Sequence, residues 1–171
     1  AKKAVELIEP GTMVFLGIST INLEIAKLIY QKNLNITLVT NMIDIMKLFT
    51  NESSTRLVFL GGSFNRARDG FLGSITIEQI KHYKFDVSFL GVVGIDVYDG
   101  KVTTYEVDDG LTKKEVINCS KKSYIVAQKV KLKQDGNYVF GHIADFTGFI
   151  FEDEIQDNLK ERIVRYGLEI I

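Results

Sequence analysis

Four stretches of this chain gather residue types that could hold an anion. Gly17-Ile18-Ser19-Thr20-Ile21-Asn22 sets two hydroxyls ahead of a helical pattern, where free backbone N–H groups suit a phosphate. The same residues are favoured helix caps, so spacing alone leaves both roles open. In Gly61-Gly62-Ser63-Phe64-Asn65-Arg66 the paired glycines allow close backbone approach, and Arg66 can pair with a phosphate or carboxylate. A tight turn with a solvated arginine fits equally well. Gly91-Val92-Val93-Gly94 could touch a ligand by backbone only. Thr103-Thr104-Tyr105-Glu106-Val107-Asp108-Asp109-Gly110-Leu111-Thr112-Lys113 sets acids at a helix start and lysine a turn later, which dipole and i,i+4 pairing explain unaided. Lys131 ends a basic, loop-like stretch after Val126-Ala127-Gln128. No loop carries Gly-x-Gly-x-x-Gly or a Walker motif, which argues against a nucleotide.

The elements that position these loops alternate in period. Phe15-Leu16-Gly17, Phe59-Leu60-Gly61 and Phe89-Leu90-Gly91 each close a short apolar run. Such a run, buried on both faces and ending in Gly, reads as a central parallel strand. Strands are also expected at 36–39, 124–126, 149–151 and 168–171, with helices over 1–8, 23–30, 42–49, 75–81, 108–120 and 154–166. A fourth Phe-Leu-Gly, at 71–73, follows charged residues and reads as a loop or helix entry. Strands alternating with helices predict a mainly parallel α/β sheet with helices on both faces. Ligands of such sheets bind outside the carboxyl ends of the strands, so the Phe-Leu-Gly endings should rim one site.

Composition narrows the function classes. The 171 residues, 46% hydrophobic and 25% charged, fit a single domain over 1–171 with its own core. With 21 basic and 22 acidic residues the formal charge is -1, without the basic excess of a nucleic-acid surface. No apolar stretch approaches the roughly 20 residues of a membrane span, so no membrane partner is expected. Cys119 alone cannot form an internal disulfide and fits a reducing cytoplasm. Two histidines and no Cys-x-x-Cys argue against a structural metal site. No cofactor motif is present. The first residues, Ala1 to Ile8, read as helix without a cap or an initiator Met, so a preceding segment is expected.

In order along the chain, these pieces resemble the C-terminal effector-sensing domain of DeoR-family bacterial transcriptional regulators. The residues that carry the resemblance are Ala1-Lys2-Lys3-Ala4 with Leu7-Ile8, Ser19-Thr20, Val39-Thr40-Asn41, and Leu60-Gly61-Gly62 with Arg66 and Gly73. Phe85-Asp86, Phe89-Leu90-Gly91, Gly94-Ile95, Thr103-Thr104, and Asp109 with Lys113 complete the set. The resemblance spans essentially the whole chain. It implies a Rossmann-like three-layer fold similar to sugar-phosphate isomerases and CoA transferases. It also implies an N-terminal helix-turn-helix DNA-binding domain absent from this chain, a homo-oligomer, and a phosphorylated sugar or similar anionic metabolite as effector of a repressor.

By matched position, the resemblance assigns the phosphate to Ser19 and Thr20. Thr40, Asn41, Gly61, Gly62 and Arg66 would line the same mouth, with Gly91 and Gly94 near it. Thr103, Thr104, Asp109, Lys113 and Lys131 would meet the sugar hydroxyls or the phosphate. Two loops depart from the family. Gly17-Ile18-Ser19-Thr20-Ile21-Asn22 replaces the usual Asp-Ser-Gly-Thr-Thr-Thr, and Gln128-Lys129-Val130-Lys131 replaces Asp-His-Ser-Lys. Losing two carboxylates while keeping the lysine makes the pocket more positive. Two other readings compete: a sugar-phosphate isomerase-like enzyme, and an oligomerisation module without effector. The enzyme needs a positioned general base, and the loop from Leu90 to Gly94 has no ionisable group. No catalytic residue is therefore expected.

Overall fold

The computed structural model describes residues 1–171. It begins with α1 (Lys2–Glu6), β1 (Met13–Leu16), α2 (Thr20–Gln31), β2 (Thr37–Thr40), α3 (Ile43–Leu48) and β3 (Arg56–Phe59). A hairpin follows, β4 (Ser63–Asn65) and β5 (Gly70–Leu72), joined through a 3-10 turn at Arg66–Arg68 and leading into α4 (Ser74–Ile80). Next come β6 (Phe85–Leu90), β7 (Gly94–Ile95), β8 (Lys101–Thr104), α5 (Val107–Asn118) and β9 (Ser120–Ala127). The chain closes with β10 (Tyr138–His142), β11 (Gly148–Phe151), α6 (Asp157–Arg165) and β12 (Glu169–Ile170).

Seven strands form one sheet in the order β12-β11-β9-β6-β1-β2-β3. Every pairing within it is parallel. Alternation along each strand sends neighbouring side chains to opposite faces. Val14 and Leu16 join Val87, Phe89 and Val126 in a core of 18 buried residues under α1, α2 and α3. Phe15 joins Phe85, Ile125 and Phe149 in a second core of 21, capped by Ile80 of α4, Val116 of α5 and Ile163 of α6. Each fully buried Phe or Leu contributes about 1.5–3 kcal/mol, so these two cores hold the three layers together. The fold is the expected α/β three-layer sheet.

Three sequence expectations need correction. The run ending Phe59-Leu60-Gly61 is not a central strand: β3 is the sheet edge, and Arg56 through Phe59 remain partly exposed. Phe71-Leu72 is strand β5, and only Gly73, at φ 95°, is the helix entry. Five short strands escape the periodic pattern. They form the β4–β5 hairpin and an antiparallel sheet in the order β10-β8-β7. This antiparallel layer lies beyond the ends of the parallel strands. The topology also puts a switch point beside β1: the chain goes one way to β2 and β3, then returns to β6 on the other side. The crevice between the carboxyl ends of β1 and β6 is where such sheets bind ligands.

Candidate functional site

The crevice is closed at its base by a knot between the β1 and β6 endings. Gly17 N–H donates to Phe89 O at 3.2 Å, continuing the ladder past the last strand residue. Asn22 is wholly buried, and its Nδ2 donates to both Gly17 O and Phe89 O at 2.9 Å. Gly91 lies against Ser19; a Cβ there would sit 2.5 Å from the serine Cβ. Ser19 takes extended backbone (φ −165°) and caps α2, its Oγ accepting the Asn22 N–H at 3.0 Å. The amides of Thr20 and Ile21 have no carbonyl one turn earlier, and the first turn of α2 holds no acid. The 12-residue helix therefore turns the positive end of its dipole toward the crevice. Thr20 and Ile21 are helix, not loop.

Above this base lies a cavity of about 510 Å³. Five expected residues line it: Ser19, Thr20, Gly91, Lys113 and Lys131. Lys113 supplies the deepest charge. Burial holds its ammonium below the usual lysine range; the nearby Asp109 carboxylate opposes that shift, and the Arg68 charge adds to it. Asp109 Oδ2 accepts from Lys113 Nζ at 2.7 Å and from Thr104 Oγ. Thr104 and Asp109 thus support Lys113 from behind the wall. The ammonium has two further N–H bonds to offer, and it sits 5.7 Å from the Phe140 ring centre. Lys131 stands at the rim, its Nζ donating to Gln134 Oε1 at 3.2 Å.

The other expected residues lie elsewhere. Thr40 is buried and fully used: its Oγ donates to Leu16 O and accepts from Met42 N–H. Asn41 is buried beneath the hairpin, its Nδ2 donating to Phe71 O at 2.9 Å. Gly61 turns to α4, where its carbonyl accepts from Thr76 Oγ and Gln79 Nε2. Gly62 packs on Thr76 as well. Gly94 is covered by Gln134, and the Thr103 hydroxyl accepts the Gly136 N–H at 2.7 Å. Arg66 is exposed on the outer side of the 3-10 turn.

Arg68, two residues on, is the arginine in the cavity wall, together with Asp44, Asp69, Tyr105 and Gln128. Sequence reading missed Arg68, Asp44 and Asp69, and it gave Tyr105 and Gln128 only as members of their loops. A 3-10 turn reverses the chain between Arg66 and Arg68, and no periodicity reveals that. Gly70 could have flagged the close approach, since a Cβ there would meet Ile18 Cδ1 at 2.6 Å.

A larger cavity of about 670 Å³ runs between α1, α2 and the ends of β9 and β11. It shares Thr20, Ile21, Ala127 and Gln128 with the first, but Thr20 is the only expected residue it contains. Lys2, Lys3, Lys27, Glu24 and Glu152 line it, but the buried cation, Lys113, belongs to the smaller one. No group of three His, Cys, Asp or Glu side chains is placed to hold a metal ion. No helix is long and apolar enough to cross a membrane.

Comparison with known proteins bears on the family and the fold. The chain is 27% identical to a putative aga operon transcriptional repressor of Escherichia coli O157:H7, over all of this chain and 63% of that protein. It is 30% identical to the uncharacterized HTH-type transcriptional regulator FruR of Bacillus subtilis, over 96% of this chain and 65% of that one. It is 28% identical to the glycerol-3-phosphate regulon repressor of Haemophilus influenzae, over 95% and 64%. The chain thus spans a little under two thirds of these relatives. Among solved structures, ribose 5-phosphate isomerase A from Methanocaldococcus jannaschii superposes with TM-score 0.52 at 16% identity, over 76% of this chain and 50% of that one. The eIF2B delta protein of Chaetomium thermophilum gives 0.58 at 12%, over 90% and 54%. These two likenesses speak for the fold alone. The family model described as the DeoR C terminal sensor domain matches residues 1–153, and the chain belongs to that family.

Proposed function

We propose that this chain is the ligand-sensing part of a transcriptional repressor, binding a phosphorylated sugar or related anionic metabolite at the β1/β6 crevice. The observation that carries the reading is convergence: the open N-terminus of α2, Lys113, Arg68 and Lys131 face one cavity. An anion placed there gains a helix dipole and charge-assisted hydrogen bonds at once. The names of the relatives support it, since they include a repressor of a glycerol-3-phosphate regulon. In the full protein an N-terminal helix-turn-helix would contact DNA, and the bound metabolite would shift its affinity for the operator. That requires the ligand to bind two states unequally. A homo-oligomer fits a reader of palindromic DNA, and a lone cysteine fits the cytoplasm.

The isomerase-like alternative is disfavoured by the carboxylates that face the cavity. Asp44 is held below the usual carboxylate range by its hydrogen bond to Lys47. Asp69 Oδ2 accepts the Asp44 backbone N–H at 3.1 Å. A carboxylate held that low, as Asp44 is, does not resemble a base poised near neutral pH. A thermal-shift screen across sugar phosphates tests the reading, because a bound ligand raises apparent stability by mass action. An operator gel shift with the full protein then tests the response. A ligand that binds without altering operator affinity overturns the regulatory part. Turnover of ribose 5-phosphate by purified protein overturns the non-enzymatic part.

A further inference from the structure

Arg68 is unlike the other cations of the cavity in what it is bonded to. Its side chain is 23% exposed and stands 3.6 Å (Nε to Oε1) from Glu106, beyond hydrogen-bond range. The only hydrogen bond it makes is through its backbone N–H, to Asn65 Oδ1 at 3.2 Å. A guanidinium has five N–H donors in a fixed fork suited to phosphate or carboxylate. Here all five are held at the mouth of a cavity with no acceptor engaged. The guanidinium carbon lies 5.8 Å from the Tyr105 ring centre, which limits where the fork can swing.

The hairpin that carries it is seated firmly. Asp69 O accepts the Ile43 N–H at 2.9 Å, and Phe71 N–H donates to Asn41 O at 3.0 Å. Asn65 Nδ2 donates to Glu106 Oε2 at 2.7 Å, which fixes the carboxylate beside Arg68. Lys113 and Arg68 also repel one another across the cavity, and an anion between them relieves that repulsion.

We propose that Arg68 is the specificity-determining cation of the effector site, and that Glu106 is its resting partner, which the anion of the effector displaces. The inference rests on the crevice being the anion site. The Arg68–Glu106 contact is a partly exposed ion pair of the kind that holds geometry weakly. A doubly charged phosphate that reaches the fork with two parallel N–H···O bonds outcompetes it. Glu106 therefore sets the affinity: it keeps the arginine in place and makes the ligand compete for it. A phosphate monoester is favoured over a monoanionic carboxylate, because only the former satisfies Lys113 and the Arg68 fork together.

Calorimetric titration of the protein with glycerol 3-phosphate, inorganic phosphate and glycerate provides the test. Arg68→Ala should weaken the phosphate probes by about tenfold or more, the scale of one lost charge-assisted contact. Arg68→Lys should recover only part of it, since a point charge cannot reproduce the fork. Glu106→Gln keeps an acceptor for Asn65 and should tighten phosphate several-fold. That gain should vanish in the Arg68→Ala background, whereas a general field effect would persist there. Urea melts of each variant check folding. Wild-type binding that Arg68→Ala and Glu106→Gln leave unchanged overturns the role of Arg68 while the site stands. Equal affinity for glycerate overturns the stated selectivity. If wild type binds neither phosphate probe, both the site and this inference fail.

Discussion

The parallel strand ends and the antiparallel layer beyond them make different contributions to one cavity. The strand ends supply neutral groups: the α2 amides, the Ser19 cap and the Gly91 backbone, knotted by Asn22 over a fully buried core. The antiparallel pieces supply or support the charge. Arg68 rides on the β4–β5 hairpin, and Lys113 is braced by Thr104 at the end of β8. The cradle is thus fixed by packing, and the charge is fixed by a handful of polar contacts on strands of two to five residues. Packing of that sort resists change, whereas a few polar contacts can be rewired with little cost to the core. The division predicts where mutations should cost stability and where they should cost binding.

The largest expected effect breaks the charged side. Asp109 and Lys113 are 3% and 7% exposed as side chains. Asp109→Ala leaves a buried ammonium unpaired and should cost about 3–5 kcal/mol in urea unfolding. The double variant Asp109→Leu/Lys113→Met removes both charges and should recover most of that stability while losing phosphate binding. A double variant as unstable as the single one would mean that the pair is structural, and the division would fail.

Gly91→Ala attacks the neutral side. The new methyl would push on Ser19, between two strand ends that cannot both move, and should cost about 1–3 kcal/mol. Weaker phosphate binding should accompany it, because the α2 cap shifts. An unchanged urea midpoint would show that the knot is looser than its contacts imply.

Proton linkage separates the two sides again. Lys113 sits below the usual lysine range, chiefly through burial. The folded state therefore binds this proton less well than the unfolded chain, whose lysine titrates near about 10.4. The group adds stability above that unfolded value, and loses it as pH falls through the lowered folded value. Anion binding runs the other way, since it needs the charged form and raises its pKa. Phosphate affinity should be full well below the folded pKa, then decline as pH rises through it, earlier than an exposed lysine would dictate. A monoester is already doubly charged above about pH 6, so the ligand adds no slope there. Calorimetry at increasing pH checks this, and affinity that is flat up to the ordinary lysine range would remove Lys113 from the contact.

The same contrast explains what was legible in the sequence. Long apolar strands such as Phe85–Leu90 and amphipathic helices such as α2 carry period and length, so the parallel sheet and its switch-point crevice followed from them. The placement of Ser19, Thr20 and Gly91 beside that crevice followed too, because strand ends are local features. The hairpin and the β7-β8-β10 sheet did not. Their strands are too short for a period, and β8 pairs with β10 across some thirty intervening residues. Arg66 is a candidate by sequence, yet Arg68 lines the cavity, because nothing in the residue order reveals which way a 3-10 turn faces. Thr40 has suitable chemistry, yet backbone groups of Leu16 and Met42 take up its hydrogen bonds, and the Asn41 amide is turned to Phe71 O of the hairpin. Sequence reading finds polar residues near a strand end; it does not find which of them the fold has already spent.

The smallest effect should come from Gly61, and it sharpens the comparison at the sheet edge. An added Cβ at Gly61 meets nothing within 4 Å, and its φ is not positive. Gly61→Ala should lie within about 0.5 kcal/mol of wild type, or gain slightly through a stiffer unfolded chain. Gly62 is the control. Its φ is +152°, and a Cβ would overlap Thr76 Oγ, the hydroxyl that donates to Gly61 O. Gly62→Ala should therefore cost about 1–3 kcal/mol through strain and a lost bond. Both glycines face α4, so neither variant should alter phosphate affinity at saturating folded protein. A binding defect in Gly61→Ala without a stability defect would return the second Phe-Leu-Gly ending to the ligand rim. Unchanged binding confines the rim to β1, β6 and the charged layer beyond them.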